Sequence, residues 1–174
     1  TEAVNKLVEN IKAKKYSSPV IKFLSDLSAD WMKFMHDSPL AIPLPPRNTQ
    51  LITALSCIQW ASSTTIKKGS ALMGQVGTGE GKSLIIALLA VYFTKVMKKK
   101  VHIIENNSTL LEKDFAQFEL FYKMQNVTVT KRFKNHNADI TYCLHHDPKG
   151  CPQDLDSYYR EKVFLVKIHL KILI

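Results

Sequence analysis

The stretch that decides the fold reads MGQVGTGEGKSLIIALLA and runs from Met73 to Ala90. It places three glycines and a lysine directly before a long apolar run. Small residues let backbone N–H groups curl around an anion, a lysine can reach the outer phosphates of a nucleotide, and a hydroxyl can hold magnesium. The usual context of such a loop is a strand before it and a helix after it. The stretch therefore predicts a phosphate-binding loop.

The predicted phosphate loop consists of seven consecutive residues: Gly77, Thr78, Gly79, Glu80, Gly81, Lys82 and Ser83. We expect the amides of Gly79 to Lys82 to hold the phosphates of ATP, Lys82 to contact the β- and γ-phosphates, and Ser83 to hold Mg²⁺. Val76 stands where the common pattern has its first glycine. The alternative is a glycine-rich turn that binds nothing, and the apolar segments on both sides disfavour it.

The alternation of patterns along the chain predicts an α/β fold with a parallel sheet and helices on both faces. Hydrophobic periodicity predicts helices over residues 49–61, 84–96 and 110–124, and strands over residues 71–76, 101–104, 127–130 and 139–144. We expect this domain to cover residues 46–174 and to be incomplete. Residues 1–45 precede it as a helical segment that ends in a Pro-rich linker.

The charge balance limits the class of partner. The chain carries 24 basic and 15 acidic side chains, a net charge of +9. A solvated basic surface is the first interpretation, and a surface for nucleic acid or an acidic membrane is the second. Three cysteines without a charged-then-apolar leader favour the cytoplasm, with a peripheral place at a membrane as the alternative. The apolar runs are too short, or too often interrupted by lysine, to cross a bilayer.

The loop resembles the Thr-Gly-Glu-Gly-Lys-Thr motif of the SecA family of protein-translocating ATPases, which also lacks the first glycine. Upstream, PPRNTQL is similar to the family's Gln motif, and the resemblance implies that Gln50 reads the adenine edge. Downstream, VHIIENNSTLLEKDF resembles the family's next strand and turn, with four positions in register: Asn107, Leu110, Lys113 and Asp114. The resemblance covers roughly Pro46 to Leu144.

This resemblance implies the first part of the first nucleotide-binding lobe of a helicase-like P-loop NTPase. It implies ATP and Mg²⁺ as ligands, and a complete motor that couples ATP turnover to the movement of an unfolded polypeptide. The remaining motor domains would then be further partners. Two other functions stay open: a degenerate module that holds nucleotide or a protein without turnover, and a fragment of a nucleic-acid helicase.

Several positions depart from the family pattern. Glu105 stands where the family has a threonine, and a carboxylate facing a nucleic-acid backbone would repel phosphate, which disfavours the helicase. No Asp-Glu pair follows an apolar strand: KVFLV, the likeliest equivalent, leads into Lys167 and Ile168. The second lobe, which supplies the family's arginine finger, is not in this sequence. We therefore expect nucleotide binding without useful hydrolysis.

Three further groups of residues have a weaker claim to chemistry. Glu80 and Asp114 are carboxylates that could replace the lost pair, but we expect Glu80 to order the loop and Asp114 to lie on a helix packed beside the sheet. The segment CLHHDPKGC, from Cys143 to Cys151, fits a polar loop better than a zinc site. The aromatic residues of the 110–124 helix fit a core better than a base-stacking platform: Phe115, Phe118, Phe121 and Tyr122.

Overall fold

A computed structural model describes residues 19–38, 44–63, 72, 74–131 and 137–144, together with the backbone of residues 163–166. The chain divides into two compact units, Thr1–Pro46 and Arg47–Ile174. In the first unit, helix α1 spans Pro19–His36 and buries three residues at helical spacing: Leu24, Leu27 and Trp31. The segment that was considered for zinc lies outside the described residues beyond Leu144, as do Lys167 and Ile168.

The second unit contains a four-stranded parallel sheet. Its strands are β1 (Lys100–Glu105), β2 (Val129–Lys131), β3 (Ile140–Leu144) and β4 (Val163–Val166), in the order β2-β3-β1-β4. The α/β class with a parallel sheet is therefore confirmed. At the carboxyl edge of the sheet, Glu105 of β1 is in register with Leu144 of β3. Ligand sites of open parallel sheets are usually found at this edge.

Three helices belong to the second unit: α2 (Asn48–Ala61), α3 (Lys82–Lys95) and α4 (Ser108–Met124). Helix α3 buries ten consecutive residues, from Leu84 to Phe93, and packs against α2, α4 and β1. A helix that is apolar all round is buried on all sides, so the expectation from its composition is confirmed. No helix in the described part of the chain is long and apolar enough to cross a membrane.

Helix α4 covers the sheet with its aromatic face. Phe118, Phe121 and Tyr122 are buried, which confirms that three of the four predicted aromatic residues belong to the core, while Phe115 is half-buried. Tyr142 of β3 meets the helix from the sheet: its ring lies edge-on to Phe115, and its hydroxyl lies 3.0 Å from that of Tyr122. The face of the sheet that carries Tyr142 is therefore the face covered by α4.

The predicted strand over residues 71–76 does not form in the part of that stretch that is described. Leu72 and residues 74–76 have irregular backbone, and Leu72 is exposed. The stretch contains Gly74, and a glycine inside a strand weakens it. In addition, β1 already pairs with β3 on one side and with β4 on the other. The loop therefore enters α3 from an irregular segment.

Candidate phosphate-binding site

Two glycines with left-handed backbone turn the chain into α3. Gly79 has φ 82° and Gly81 has φ 71°, a region that residues with a side chain adopt only under strain. Gly81 directly precedes Lys82, the first residue of the helix. The first amides of a helix have no partner inside it and carry a partial positive charge. The loop thus presents a helix N-terminus suited to an anion.

Lys82 bends back across the loop. Its Nζ donates a hydrogen bond to the carbonyl oxygen of Gly77 at 2.8 Å, and the amide of Glu80 donates to the same oxygen at 3.4 Å. The ammonium group is therefore held beside the backbone that would cradle an anion. A cation in this position, next to the helix N-terminus, fits the phosphates of a nucleotide.

Gln50 connects α2 to the loop. This buried side chain accepts a hydrogen bond from the amide of Arg47 at 2.8 Å, and its Nε2 donates to the carbonyl oxygen of Glu80 at 2.8 Å. A Cβ atom added at Gly81 would collide with the same Nε2. The Nε2 end of the amide thus supports the loop, while its Oε1 end is held by the backbone at the start of α2. The adenine contact of Gln50 stays a prediction.

An exposed ion pair joins the start of α2 to the loop. The guanidinium of Arg47 lies 3.5 Å from the carboxylate of Glu80, which is consistent with the expected ordering role of Glu80. Because both side chains are largely exposed, the pair contributes little to stability.

A cavity of about 230 Å³ lies between α2 and the loop. Its walls combine polar and apolar side chains: Thr49, Gln50, Thr53, Gln75, Val76, Gly77, Glu80 and Ile85. The cavity adjoins the predicted phosphate position, so it offers space for the remainder of a ligand whose phosphate is held by the loop.

Ser83 contacts a carboxylate that the sequence analysis set aside. Its Oγ donates a hydrogen bond to Oδ2 of Asp114 at 2.7 Å, and Asp114 is only 5% exposed. Helix α4 packs on the sheet as expected, and Asp114 nevertheless contacts Ser83 at the end of the loop; whether Asp114 replaces the lost carboxylate pair stays a prediction. A signal was present in the sequence: Asp114 falls at helical spacing with the buried Leu111 and Phe118. A carboxylate on a buried helical face indicates a specific partner.

Glu105 is buried beside Asp114. It is 8% exposed at the end of β1, on the same face of the strand as Ile103, whose partner in β3 is Tyr142. Burial, and after it the nearby charge of Asp114, raises the pKa of Glu105 to about 7. The side chain therefore does not form an exposed surface against a nucleic-acid backbone. The repulsion that we expected there loses its structural basis.

The zinc hypothesis for Cys143 to Cys151 stays untested, because residues 145–151 lie outside the described residues. Among the described residues, no group of three or more histidine, cysteine, aspartate or glutamate side chains is arranged to hold a metal. Cys143 is buried in β3, where its Sγ lies 3.8 Å from the carbonyl oxygen of Ile103.

Comparison with known proteins identifies a family. The family model of the SecA DEAD-like domain matches residues 46–147, which is more than half of the chain. The protein translocase subunit SecA of Trieres chinensis is 31% identical over 84 residues, which cover 43% of this chain and 9% of that protein. The protein of the same name from Pelagibacter ubique (strain HTCC1062) is 32% identical over 84 residues, which cover 43% of this chain and 10% of that protein. The chain thus matches about a tenth of the length of these relatives.

Proposed function

The chain belongs to the SecA DEAD-like domain family, and on that basis we propose that its loop from Gly77 to Ser83 binds ATP together with Mg²⁺. The position of Lys82 carries this proposal. Its ammonium lies across the loop, at the N-terminus of a buried helix, where an anion gains both from the charge and from the helix amides. Gln50 holds the loop in this shape, and the adjoining cavity leaves room for the nucleoside.

In this proposal each residue of the site has its own role in binding ATP and Mg²⁺. The amides of Gly79 to Lys82 hold phosphate oxygens, Lys82 neutralises the terminal phosphates, and Ser83 offers its hydroxyl to the metal. Bound Mg²⁺ would neutralise phosphate charge. Gln50 would read the adenine edge with what remains of its hydrogen-bonding capacity, since Nε2 and Oε1 already bind backbone groups.

The wider role follows from the family and is part of the same proposal. The curated relatives are named as protein translocase subunits, so we propose that the chain represents the first lobe of a motor that acts on polypeptides. Its partners would be the remaining motor domains and an unfolded polypeptide, in the cytoplasm or at the periphery of an acidic membrane. Because the sequence has no Asp-Glu pair after an apolar strand, we propose binding without useful hydrolysis by this chain alone.

Calorimetry with Mg-ATP tests the binding site. We expect wild type to bind and Lys82→Ala to lose measurable binding, because the lysine is the main mobile charge against the terminal phosphates. Lys95→Ala is the matched control, since Lys95 lies in the last turn of the same helix and bonds to Gln125 instead of the loop. We also expect GTP to compete less well than ATP. Equal affinities of wild type and Lys82→Ala would refute the phosphate-loop assignment, and equal competition by GTP would refute the adenine role of Gln50.

A further inference from the structure

A lysine-rich segment, residues 95–100, joins α3 to β1 at the amino edge of the sheet, and we call it the lysine turn. It contains four lysines within six residues: Lys95, Lys98, Lys99 and Lys100. The first two are exposed and the other two are half-buried. The phosphate loop lies at the opposite end of α3, a helix of 14 residues that is about 20 Å long. The lysine turn is therefore a surface separate from the candidate nucleotide site.

The positive charge of the lysine turn is not balanced by carboxylates next to it in the chain. Residues 81–104 contain neither aspartate nor glutamate. The ion pairs of the described residues join other groups: His36 with Asp37, Arg47 with Glu80, Lys123 with Glu119, and Lys131 with Glu112. Neither Lys98 nor Lys99 takes part in an ion pair within the part of the chain that is described. Because the lysines are close together in the chain, their fields add and attract an anionic partner.

Lys98 has an unusual backbone conformation for a lysine. Its φ is 55°, a left-handed value that favours glycine or asparagine. Asn126, which follows the end of α4, has the same φ among the described residues and is the residue type expected there. The turn is closed by backbone, because the amide of Lys99 donates to the carbonyl oxygen of Phe93 at 3.0 Å. The backbone thus explains the left-handed turn but not a lysine at it, which indicates a role for the charged side chain.

Two exposed apolar side chains accompany the lysines. Nζ of Lys95 donates a hydrogen bond to Oε1 of Gln125 at 3.4 Å, so the ends of α3 and α4 lie side by side. Val96 and Met124 are the chain neighbours of these two residues, and they are 46% and 45% exposed. The surface therefore combines positive charge with a small amount of apolar area.

The composition of this surface narrows the class of partner. In the part of the chain that is described, the large apolar side chains that are exposed are aliphatic or methionine, without an aromatic ring on which a base could stack. The lysine turn has no arginine, the residue that phosphate recognition favours. A helix on a membrane surface presents a continuous apolar face, whereas Val96 and Met124 are single exposed residues at two helix ends. These features favour carboxylates over the phosphates of nucleic acid or lipid.

From these observations we propose that the lysine turn is a docking surface for an acidic segment of a partner polypeptide. Carboxylates of that segment pair with the exposed lysines, and an aliphatic side chain within it covers Val96 and Met124. One exposed ion pair contributes little, but several lysines in one short turn act together on a segment with several carboxylates. The partner and a nucleotide can be bound at the same time, because α3 separates the two surfaces.

Fluorescence anisotropy of a labelled peptide that repeats Glu-Glu-Leu tests this surface on the whole chain. We expect wild type to bind the peptide with an affinity that falls as salt is added, and not to bind a peptide that repeats Gln-Gln-Leu. Lys98→Asn should weaken binding about threefold, and Lys98→Asn combined with Lys99→Gln about tenfold, because exposed charges are removed one at a time. Lys113→Gln is the matched control, since Lys113 is an exposed lysine near the other end of α4. It should bind like wild type.

The melting temperature separates a binding role of Lys98 from a structural one. Asparagine suits the left-handed backbone, so Lys98→Asn should melt no lower than wild type while it binds the peptide less tightly. A lower melting temperature overturns the inference, as does equal weakening by Lys113→Gln. Tighter binding of oligothymidylate or of phosphatidylserine vesicles than of the acidic peptide also overturns it. Lys82→Ala should bind the peptide like wild type, so this inference and the proposed nucleotide site fail separately.

Discussion

Replacing Glu105 by glutamine should change how the stability of the second unit depends on pH. Two buried groups on β1 titrate in opposite senses. Burial, followed by the charge of Lys100, lowers the pKa of His102 from 6.5 to about 4. Burial, followed by the charge of Asp114, raises the pKa of Glu105 from 4.5 to about 7. Both side chains are less than one-tenth exposed, so both shifts bear on the free energy of unfolding.

The sign of each contribution follows from which state binds more protons. As the pH falls from 6.5 to 4, unfolded chains protonate His102 while folded chains resist, so stability is lost toward acid. As the pH rises from 4.5 to 7, unfolded chains release the proton of Glu105 while folded chains keep it, so stability is lost toward base. Each difference corresponds to about 3 kcal/mol as an upper bound. Between pH 4.5 and 6.5 the two contributions oppose each other and nearly cancel.

The two single variants separate these contributions. Glu105→Gln should gain stability between pH 4 and 6.5 and then level off, because only His102 still titrates. Above pH 7 it should exceed wild type by up to about 3 kcal/mol, because it no longer buries a charge beside Asp114. His102→Gln should show the reverse trend and lose stability as the pH rises from 4.5 to 7.

Urea unfolding in the presence of a chelator provides the measurement. The chain has two tryptophans, so Trp31→Phe in every variant leaves Trp60 of α2 as the reporter of the unit that contains β1. Glu119→Gln, on an exposed side chain, should follow wild type at every pH. If Glu105→Gln is no more stable than wild type above pH 7, the buried and repelled carboxylate inferred from the structure is wrong.

Two further predictions concern the loop and its chemistry. Gly81→Ala should lower the free energy of unfolding by more than Gly79→Ala, because both positions have positive φ, worth about 1–2 kcal/mol, while only the methyl group at Gly81 meets Gln50. Equal losses in urea unfolding would contradict the supporting role of Gln50. Purified chain should release phosphate from ATP no faster than Lys82→Ala, because an arginine finger alone is worth about a thousandfold or more. Release at several turnovers per minute that the substitution abolishes would refute this.

Much of the fold was predictable because the helices of the second unit carry strong periodic or uniformly apolar patterns. The boundaries of α2, α3 and α4 lie within two residues of those expected from the sequence. The strand predicted over residues 71–76 was wrong in the part of that stretch that is described, Leu72 and residues 74–76. Its short, Gly-containing stretch fits the pattern of a strand before a phosphate loop, but Gly74 weakens a strand. Sequence patterns report local preference, whereas strand pairing depends on residues far away in the chain.

The candidate site was predictable only in its contiguous part. The glycines, Lys82 and Ser83 follow one another, and the geometry of a helix N-terminus assigns their roles. The surroundings of the carboxylates Asp114 and Glu105 were harder to predict from the sequence, because the two residues come from separate elements. Asp114 stands in an apolar helical stripe, which was a usable signal, and only the packing of α4 on the sheet reveals that it reaches Ser83.

Burial also changes the meaning of Glu105. On an exposed turn, a carboxylate in place of threonine argues against phosphate, because it repels a nucleic-acid backbone. When the same carboxylate is buried next to Asp114, its own charged form is disfavoured, and its pKa rises to about 7. A departure that would argue against an anionic ligand at the surface therefore carries no such argument where the side chain is buried and protonated over part of the pH range.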